Sequence, residues 1–161
     1  MPRVAKKSQK KSEVKQSKIY TNMFEAFGAF WHRGFTEWAG TSSRSEYWWS
    51  CLMIWLISVV WVALIFISGF SNSPFGLEFV VSPITGILSF GFVIFALASF
   101  IPMISLTVRR LHDAGLGAWW ILLFLLGLIC GPLGFIVSIV FLVFALLPTK
   151  VDGNSYHKFN K

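Results

Sequence analysis

Charged residues are missing from most of this sequence. No Lys, Arg, Asp or Glu occurs at positions 47–77, 79–108 or 114–149. Each gap exceeds the roughly 20 apolar residues that a helix needs to cross a bilayer. Because 55% of the residues are hydrophobic and the mean hydropathy is +0.67, the composition excludes an ordinary soluble domain. We predict an all-α integral membrane protein with three to four transmembrane segments, at about 47–70, 83–108 and 118–147.

Residues that would carry metal binding or catalysis are also scarce. Cys51 and Cys130 are too few for a disulfide framework and are interpreted as small buried residues. The apolar stretches hold no carboxylate, histidine or basic residue in mid-span, although ion-coupled transporters generally need such groups there. The pair His112–Asp113 has no obvious Ser or Cys nucleophile beside it. We predict no catalytic residue, no metal site, no cofactor and no enzymatic activity.

Basic residues are concentrated in an N-terminal tail. Seven basic residues precede Met23, and only Glu13 opposes them. A segment rich in Lys, Ser and Gln buries too little apolar surface to fold, so residues 1–21 are predicted to form a disordered basic cytoplasmic tail. Its expected partner is anionic lipid, at about 1 kcal/mol per Lys or Arg near the surface. Nucleic acid is disfavoured because no RNA-binding aromatic pattern accompanies the basic residues.

The next segment, residues 22–39, is predicted to be an amphipathic helix. Its large apolar residues recur in steps of three and four, so that they share one helix face, while Glu25, His32, Arg33 and Glu37 fall on the other. The stretch is too polar to span, so it is expected to lie in the membrane interface, or to pack on the bundle, or both. The apolar face consists of Met23, Phe24, Phe27, Phe30, Trp31, Phe35 and Trp38.

Basic residues set the predicted orientation. Positive charges near span ends remain cytoplasmic, which places Arg33, Arg44 and the pair Arg109–Arg110 inside and the loop at 69–83 outside. Residues 149–161 carry Lys150, Lys158 and Lys161 against Asp152, so the C-terminal tail is also expected in the cytoplasm. A cytoplasmic C-terminus requires an even number of crossings.

The sequence does not decide how the third apolar run, 118–147, passes through the membrane. One straight helix would be about 45 Å long at 1.5 Å per residue, longer than one crossing needs. Gly127, Gly131, Pro132 and Gly134 interrupt it. Three interpretations follow: one kinked span, two short tilted spans, or a re-entrant hairpin, the last being tolerated where its bend is buried in protein or faces water. We favour a path that returns.

Two charged blocks are predicted to meet at the cytoplasmic face. Residues 109–113, between two apolar runs, are typical of a short loop at one membrane face, where arginines determine topology and contact phosphates. Asp113 is there most simply a turn or capping residue, and Ser43 or Ser45 is a candidate cap for the next helix. If the second span continues to Asp113, Arg109 or Arg110 can pair with Asp113 on its surface. We also predict an ion pair from Glu46 to Arg109 or Arg110. The predicted cluster comprises Arg44, Glu46, Arg109, Arg110, His112, Asp113 and Asn154.

Aromatic residues flank both charged blocks and are predicted to be interfacial anchors. They are Tyr47, Trp48, Trp49, Trp119 and Trp120.

The same blocks resemble a known family. A glycine at position 40 precedes Arg44-x-Glu46-Tyr47-Trp48, Arg109-Arg110-Leu111-His112-Asp113-x-Gly115, Trp119-Trp120 and Asn154-x-Tyr156. Over roughly Phe24 to His157 this pattern is similar to the bacterial inner-membrane "domain of unknown function 805" family, the YhaH/YhaI-like proteins. The resemblance implies a small protein of the bacterial inner (plasma) membrane without an established biochemical function. Thr41 stands where the family usually has arginine, and His157 where it has glycine, so any role of those positions is not carried over.

The expected function is structural or interactive. The predicted cluster would contact anionic headgroups or a membrane partner protein. An oligomeric small-solute transporter or channel, assembled as a homo-oligomer, is the alternative, and a lipid-headgroup-modifying enzyme is the third possibility.

Overall fold

The computed structural model describes residues 17–71, 80–129, 131–150 and 153–156. Residues 1–16 of the disordered tail predicted at 1–21, residues 72–79 of the outer loop predicted at 69–83, Cys130 and the lysines at 158 and 161 lie outside these ranges. Within the described ranges all regular structure is helical. The helices are α1 (Met23–Thr36), α2 (Arg44–Ser71), α3 (Pro83–Asp113), a 3-10 turn (Ala118–Trp120), α4 (Ile121–Ile129) and α5 (Gly131–Leu146).

Two helices, α2 and α3, are long and apolar enough to cross a membrane. They contain 28 and 31 residues, and their most apolar windows have mean hydropathies of 2.6 and 2.4. A core helix of a soluble protein would be mostly buried, whereas only 6% and 11% of these windows are buried. Length, hydropathy and exposure together indicate a membrane protein. The prediction of an all-α fold is therefore confirmed, and two of the predicted spans have counterparts of sufficient length.

The double arginine lies in a helix and not in a loop, which corrects the sequence interpretation. α3 continues five residues past the predicted end at 108 and stops at Asp113. Ala114 and Gly115 form the turn that follows, and Gly115 has φ +76°, a conformation that favours glycine. Because no helix breaker occurs between Pro102 and Gly115, the charged residues simply extend the helix. Arg109 to Asp113 therefore have fixed positions on its last turn.

A tryptophan of α2 joins that helix to the first part of α3. The indole Nε1 of Trp61 donates to the carbonyl oxygen of Leu88 at 3.0 Å. Gly91 makes room for the ring, since an added Cβ would stand 3.0 Å from it. Ser82 caps the start of α3 by accepting from the N–H of Thr85.

α1 packs across α2 and α3, and it is shorter than the predicted 22–39. Asn22 caps its start, with Oδ1 accepting from the N–H of Phe24 at 2.9 Å. The buried face is narrower than the predicted apolar stripe and consists of Ala26, Phe30 and Gly34. The small residues Ala26 and Gly34 let α1 approach its neighbouring helices closely. Phe24 of the predicted apolar stripe is exposed. Phe35 and Trp38 are also exposed, and Trp38 lies beyond the helix end.

The closest contact of α1 is between Gly34 and Pro102 of α3. A Cβ added to Gly34 would stand 2.5 Å from the Cβ of Pro102, so only glycine fits there without movement. Ser50 Oγ of α2 also donates to the carbonyl oxygen of Ala26 at 3.3 Å. These contacts fix α1 against both long helices.

The third apolar run forms two antiparallel helices. α4 has nine residues and α5 sixteen, or about 14 and 24 Å at 1.5 Å per residue. Trp120 packs edge-on against Phe144, with ring centroids 5.1 Å apart, so the run begins and ends at the same place. Gly127 contacts Val137, and an added Cβ there would be 2.9 Å away. The single kinked span is therefore wrong, and the chain returns as two short helices.

The α4–α5 hairpin is attached to the C-terminal end of α3. Leu111, Val137 and Phe141 form a small buried core between them. The described residues that follow, 147–150 and 153–156, lie against the end of α3, where the N–H of Lys150 donates to the carbonyl oxygen of Asp113 at 2.9 Å. Both charged blocks and the end of the described chain thus meet at one end of the bundle.

Candidate functional site

Glu46 is the centre of a buried ion-pair network at that end. It lies in the first turn of α2, which Ser43 caps through a 3.3 Å bond from the N–H of Glu46 to Oγ. Its side chain is fully buried. Oε1 accepts from Nη1 of Arg109 at 2.7 Å, and Oε2 accepts from Nη1 of Arg33 at 2.6 Å. One carboxylate therefore connects α1, α2 and α3. Of the two ion-pair partners predicted for Glu46, Arg109 and Arg110, the structure shows Arg109.

Arg33 is the partner that the sequence interpretation missed. It also donates from Nε to Glu37 at 2.8 Å and from Nη2 to the carbonyl oxygen of Thr41 at 3.1 Å. Burial lowers the pKa of its guanidinium, but the Glu46 charge and the hydrogen bond to Glu37 outweigh burial and raise that pKa. Arg33 therefore keeps its charge inside the protein. The i, i+4 spacing of Arg33 and Glu37 was the available signal for part of this arrangement.

Arg109 is fully buried but only partly hydrogen-bonded. Nη1 binds Glu46, whereas Nε and Nη2 have no hydrogen-bond partner among the described residues. The neighbouring Ser42 donates its N–H to the carbonyl oxygen of Arg109 at 3.1 Å. The Ser42 hydroxyl is likewise buried without a partner. Buried polar atoms are normally paired, so these three atoms stand out.

Arg110 and Asp113 form a second ion pair, at the i, i+3 spacing noted in the sequence. Nη1 of Arg110 lies 2.5 Å from Oδ2 of Asp113. Nε and Nη2 of Arg110 donate to the carbonyl oxygen of Ala145 at 3.2 and 3.1 Å, and Nη2 also binds the carbonyl oxygen of Leu147. These carbonyl groups have no partner within α5, because the helix ends there. Arg110 therefore attaches the α4–α5 hairpin to α3.

Asp113 also receives hydrogen bonds from both ends of the described chain. Oδ1 accepts from the hydroxyl of Ser17 at 2.9 Å, and Oδ2 accepts from the hydroxyl of Thr149 at 2.7 Å. A carboxylate can accept several such bonds. Asp113 is thus a tertiary junction as well as the last residue of α3.

His112 and Asn154 hold the C-terminal segment in place. The His112 ring stacks on Tyr156 with centroids 3.9 Å apart, and its Nδ1 lies 3.3 Å from the carbonyl oxygen of Gly40. Nδ2 of Asn154 donates to the carbonyl oxygens of His112 and Lys150 at 2.7 and 3.0 Å. Both residues of the predicted cluster therefore have structural contacts with the C-terminal segment.

Arg44 is the one member of the predicted cluster that stays outside these contacts. It is exposed at the start of α2 and makes no hydrogen bond or ion pair with the described residues.

The predicted aromatic anchors differ in their exposure. Trp48 and Trp119 are exposed, whereas Trp120 is half-buried, stacking on Trp119 at 4.4 Å and packing against Phe144.

The buried charges balance. Arg33 and Arg109 face Glu37 and Glu46, and Arg110 faces Asp113. Buried charges persist when they are paired and hydrogen-bonded, so removing one partner of these pairs would be costly. Within the described chain no group of three or more His, Cys, Asp or Glu residues is placed to hold a metal ion.

The fold and site define a class: an all-helical membrane protein whose two long apolar helices are joined at one end by a buried ion-pair network. The chain belongs to the family described as "Protein of unknown function (DUF805)", which matches residues 35–158. The matched residues include the ion pair of Glu46 with Arg109 and end two positions after Tyr156, while Arg33 lies just before them. No curated protein and no solved structure gives a significant match.

Proposed function

We propose that this is a small multi-pass protein of the bacterial inner membrane with a structural or interactive role, and that its charged end faces the cytoplasm and binds anionic lipid headgroups. The charge distribution supports this orientation. Arg33, Arg44, Arg109, Arg110 and Lys150 all lie at one end of the bundle, and basic residues near span ends favour the cytoplasmic side.

The exposure of Arg44 is the observation that carries the proposal. The other three arginines of this end are committed to Glu37, Glu46 and Asp113. Arg44 adds one positive charge to this balanced set and holds it at the surface. A basic residue near an anionic membrane surface contributes about 1 kcal/mol of binding. Arg44 is therefore the best-placed contact for a headgroup phosphate among the predicted cluster residues.

The outer aromatic residues support a position of α1 at the membrane interface. Phe24, Phe35 and Trp38 are exposed along α1 and just beyond it. Trp48 in α2 and Trp119 before α4 are exposed near the charged blocks. Aromatic residues are enriched where lipid headgroups meet hydrocarbon. In this arrangement α1 contacts lipid on its outer side and the bundle on its inner side.

Headgroup binding is tested with protein purified in detergent and exchanged into mixed lipid. Native mass spectrometry measures retained phosphatidylglycerol against phosphatidylcholine. We expect Arg44→Ala to lower the preference for the anionic lipid about fivefold, the equivalent of ~1 kcal/mol. Arg44→Lys is the matched variant, since it keeps the charge and should keep most of the preference. Equal retention of both lipids by the unaltered protein would contradict the proposal.

Orientation is tested independently by a reporter fused after Lys161. A reporter active in the cytoplasm is expected, because Thr149, Lys150 and Asn154 lie at the end of the bundle that carries the arginines. A periplasmic signal would contradict the proposed orientation. A stable homo-oligomer that passes a solute and has no preference for anionic lipid would instead favour a small channel.

A further inference from the structure

The unpaired atoms of Arg109 lie on one edge of its guanidinium. Nη1 is bound to Glu46, which leaves Nε and Nη2. In a planar guanidinium the N–H groups of Nε and one Nη point in the same direction, as a fork that fits two oxygens of one oxyanion. The whole fork is unoccupied by described protein groups, although the residue is fully buried.

A third donor is available on the neighbouring residue. Ser42 is fully buried, and its N–H is fixed to the carbonyl oxygen of Arg109. Its hydroxyl also lacks a partner. A carboxylate offers two oxygens in one plane, whereas a phosphate group offers at least one more acceptor outside that plane. The donor set of Arg109 with Ser42 therefore suits phosphate better than carboxylate.

The buried charges around this edge are already balanced, with Arg33, Arg109 and Arg110 against Glu37, Glu46 and Asp113. A singly charged phosphate brings one negative charge beyond this balance. Its affinity therefore has to come from the three hydrogen-bond donors of Arg109 and Ser42.

We propose that the Nε and Nη2 edge of Arg109, together with the hydroxyl of Ser42, binds one phosphate group. The segment between α1 and α2 covers the site: Thr41 binds Arg33, Gly40 binds His112 and Ser42 binds Arg109. The phosphate enters when this segment opens, either as a free ion or as part of a lipid headgroup. The site does not involve Arg44, so it stands or fails separately from the surface contact proposed above.

The test uses the full chain, purified in detergent without phosphate. Equilibrium dialysis with radiolabelled inorganic phosphate measures the free ion, and native mass spectrometry with short-chain phosphatidylglycerol measures the lipid source. We expect one phosphate group per chain from one of the two sources. Arg109→Lys keeps the charge beside Glu46 but removes the fork, and should weaken binding at least about tenfold.

Two serine variants provide a comparison that does not depend on the stability of Arg109→Lys. Ser42→Ala should weaken phosphate binding about fivefold through the loss of one hydrogen bond. Ser99→Ala removes another buried hydroxyl without a partner, in the apolar part of α3, and should leave binding unchanged. Saturation by inorganic phosphate identifies a soluble source, and binding of the lipid alone identifies a headgroup. The proposal is overturned if the protein binds neither inorganic phosphate nor the lipid, or if Ser42→Ala and Ser99→Ala bind phosphate equally well.

Discussion

Oε1 of Glu46 lies 2.7 Å from Nη1 of Arg109, and both side chains are fully buried. Sixty-three positions separate the two residues. The contact joins the start of α2 to the end of α3, and each side chain is the countercharge of the other inside the protein. Since Glu46 also binds Arg33, the loss of this single carboxylate would leave two buried arginines without a full countercharge.

Glu46→Gln should therefore be strongly destabilising. Breaking a buried pair by removing one partner typically costs about 3–5 kcal/mol. Thermal unfolding of the detergent-purified protein measures the loss. The double variant Glu46→Gln with Arg109→Gln should cost less than the sum of the two single changes, because the second change removes a charge that the first leaves unpaired. Glu25→Gln is the control, since Glu25 pairs with Lys18 at the surface and should matter little.

Glycine at position 34 should be required for the docking of α1. Gly34→Ala places a methyl group against Pro102, and overpacking of this kind costs about 1–3 kcal/mol. Gly28 lies in the same helix with nothing within 4 Å of an added Cβ. Gly28→Ala should be neutral or stabilising by up to about 1 kcal/mol, since alanine favours helix. If both changes have the same effect on unfolding temperature, the close contact of α1 with α3 is wrong.

The indole of Trp61 should contribute to the pairing of α2 with α3. Trp61→Phe keeps an aromatic ring but removes the hydrogen bond to Leu88, at an expected cost of about 0.5–1.5 kcal/mol. Trp55 lies on the same helix and is 60% exposed, so Trp55→Phe is the matched change without that contact. Unfolding in a series of denaturing detergent concentrations measures the stability of the two variants. A cost for Trp55→Phe equal to that for Trp61→Phe would argue against this hydrogen bond.

Asn154 should hold the C-terminal segment closed over α3. Asn154→Ala removes the bonds to the carbonyl oxygens of His112 and Lys150. The side chain of Lys150 is already exposed, but its backbone is held against α3. Local opening should release this backbone, and cleavage by trypsin at Lys150 should be faster by about fivefold for ~1 kcal/mol lost. The exposed neighbour offers a comparison, because Ser155→Ala should leave the rate unchanged. Cleavage at equal rates in the two variants would show that Asn154 does not control the segment.

The two long helices could be predicted because their signal is local. Absence of charge over 47–77 and 79–108 is sufficient to predict a helix in lipid. The end of α3 could not be placed by the same rule. The pattern of Arg109 to Asp113 is typical of a loop, because charges usually mark the membrane boundary. These residues are nevertheless helical, since Glu46 accepts a hydrogen bond from Arg109 and the carbonyl oxygen of Ala145 accepts from Arg110. Both acceptors are far away in sequence, so no local rule could predict them.

Arg33 and the third apolar run show a similar limit. The helical pattern assigned Arg33 to the polar side of α1, and nothing local indicated that the turn after Thr36 would bring Glu46 to it. Glycine and proline at 131–134 predicted an interruption of the third run. Whether the run bends or returns is decided by packing, here the contact of Trp120 with Phe144. Such choices depend on tertiary structure and not on composition.

The position of Asp113 between Ser17 and Thr149 has a consequence for biosynthesis. Because a chain is made from its N-terminus, Ser17 has left the ribosome before Asp113 is made, whereas Thr149 follows Asp113 by 36 residues. The carbonyl oxygen of Ala145, which accepts from Arg110, is also made after α3. A nascent chain halted before residue 145 would therefore lack these partners of Arg110 and Asp113. The charged end of the bundle is thus the part whose contacts are completed after both long helices have been made.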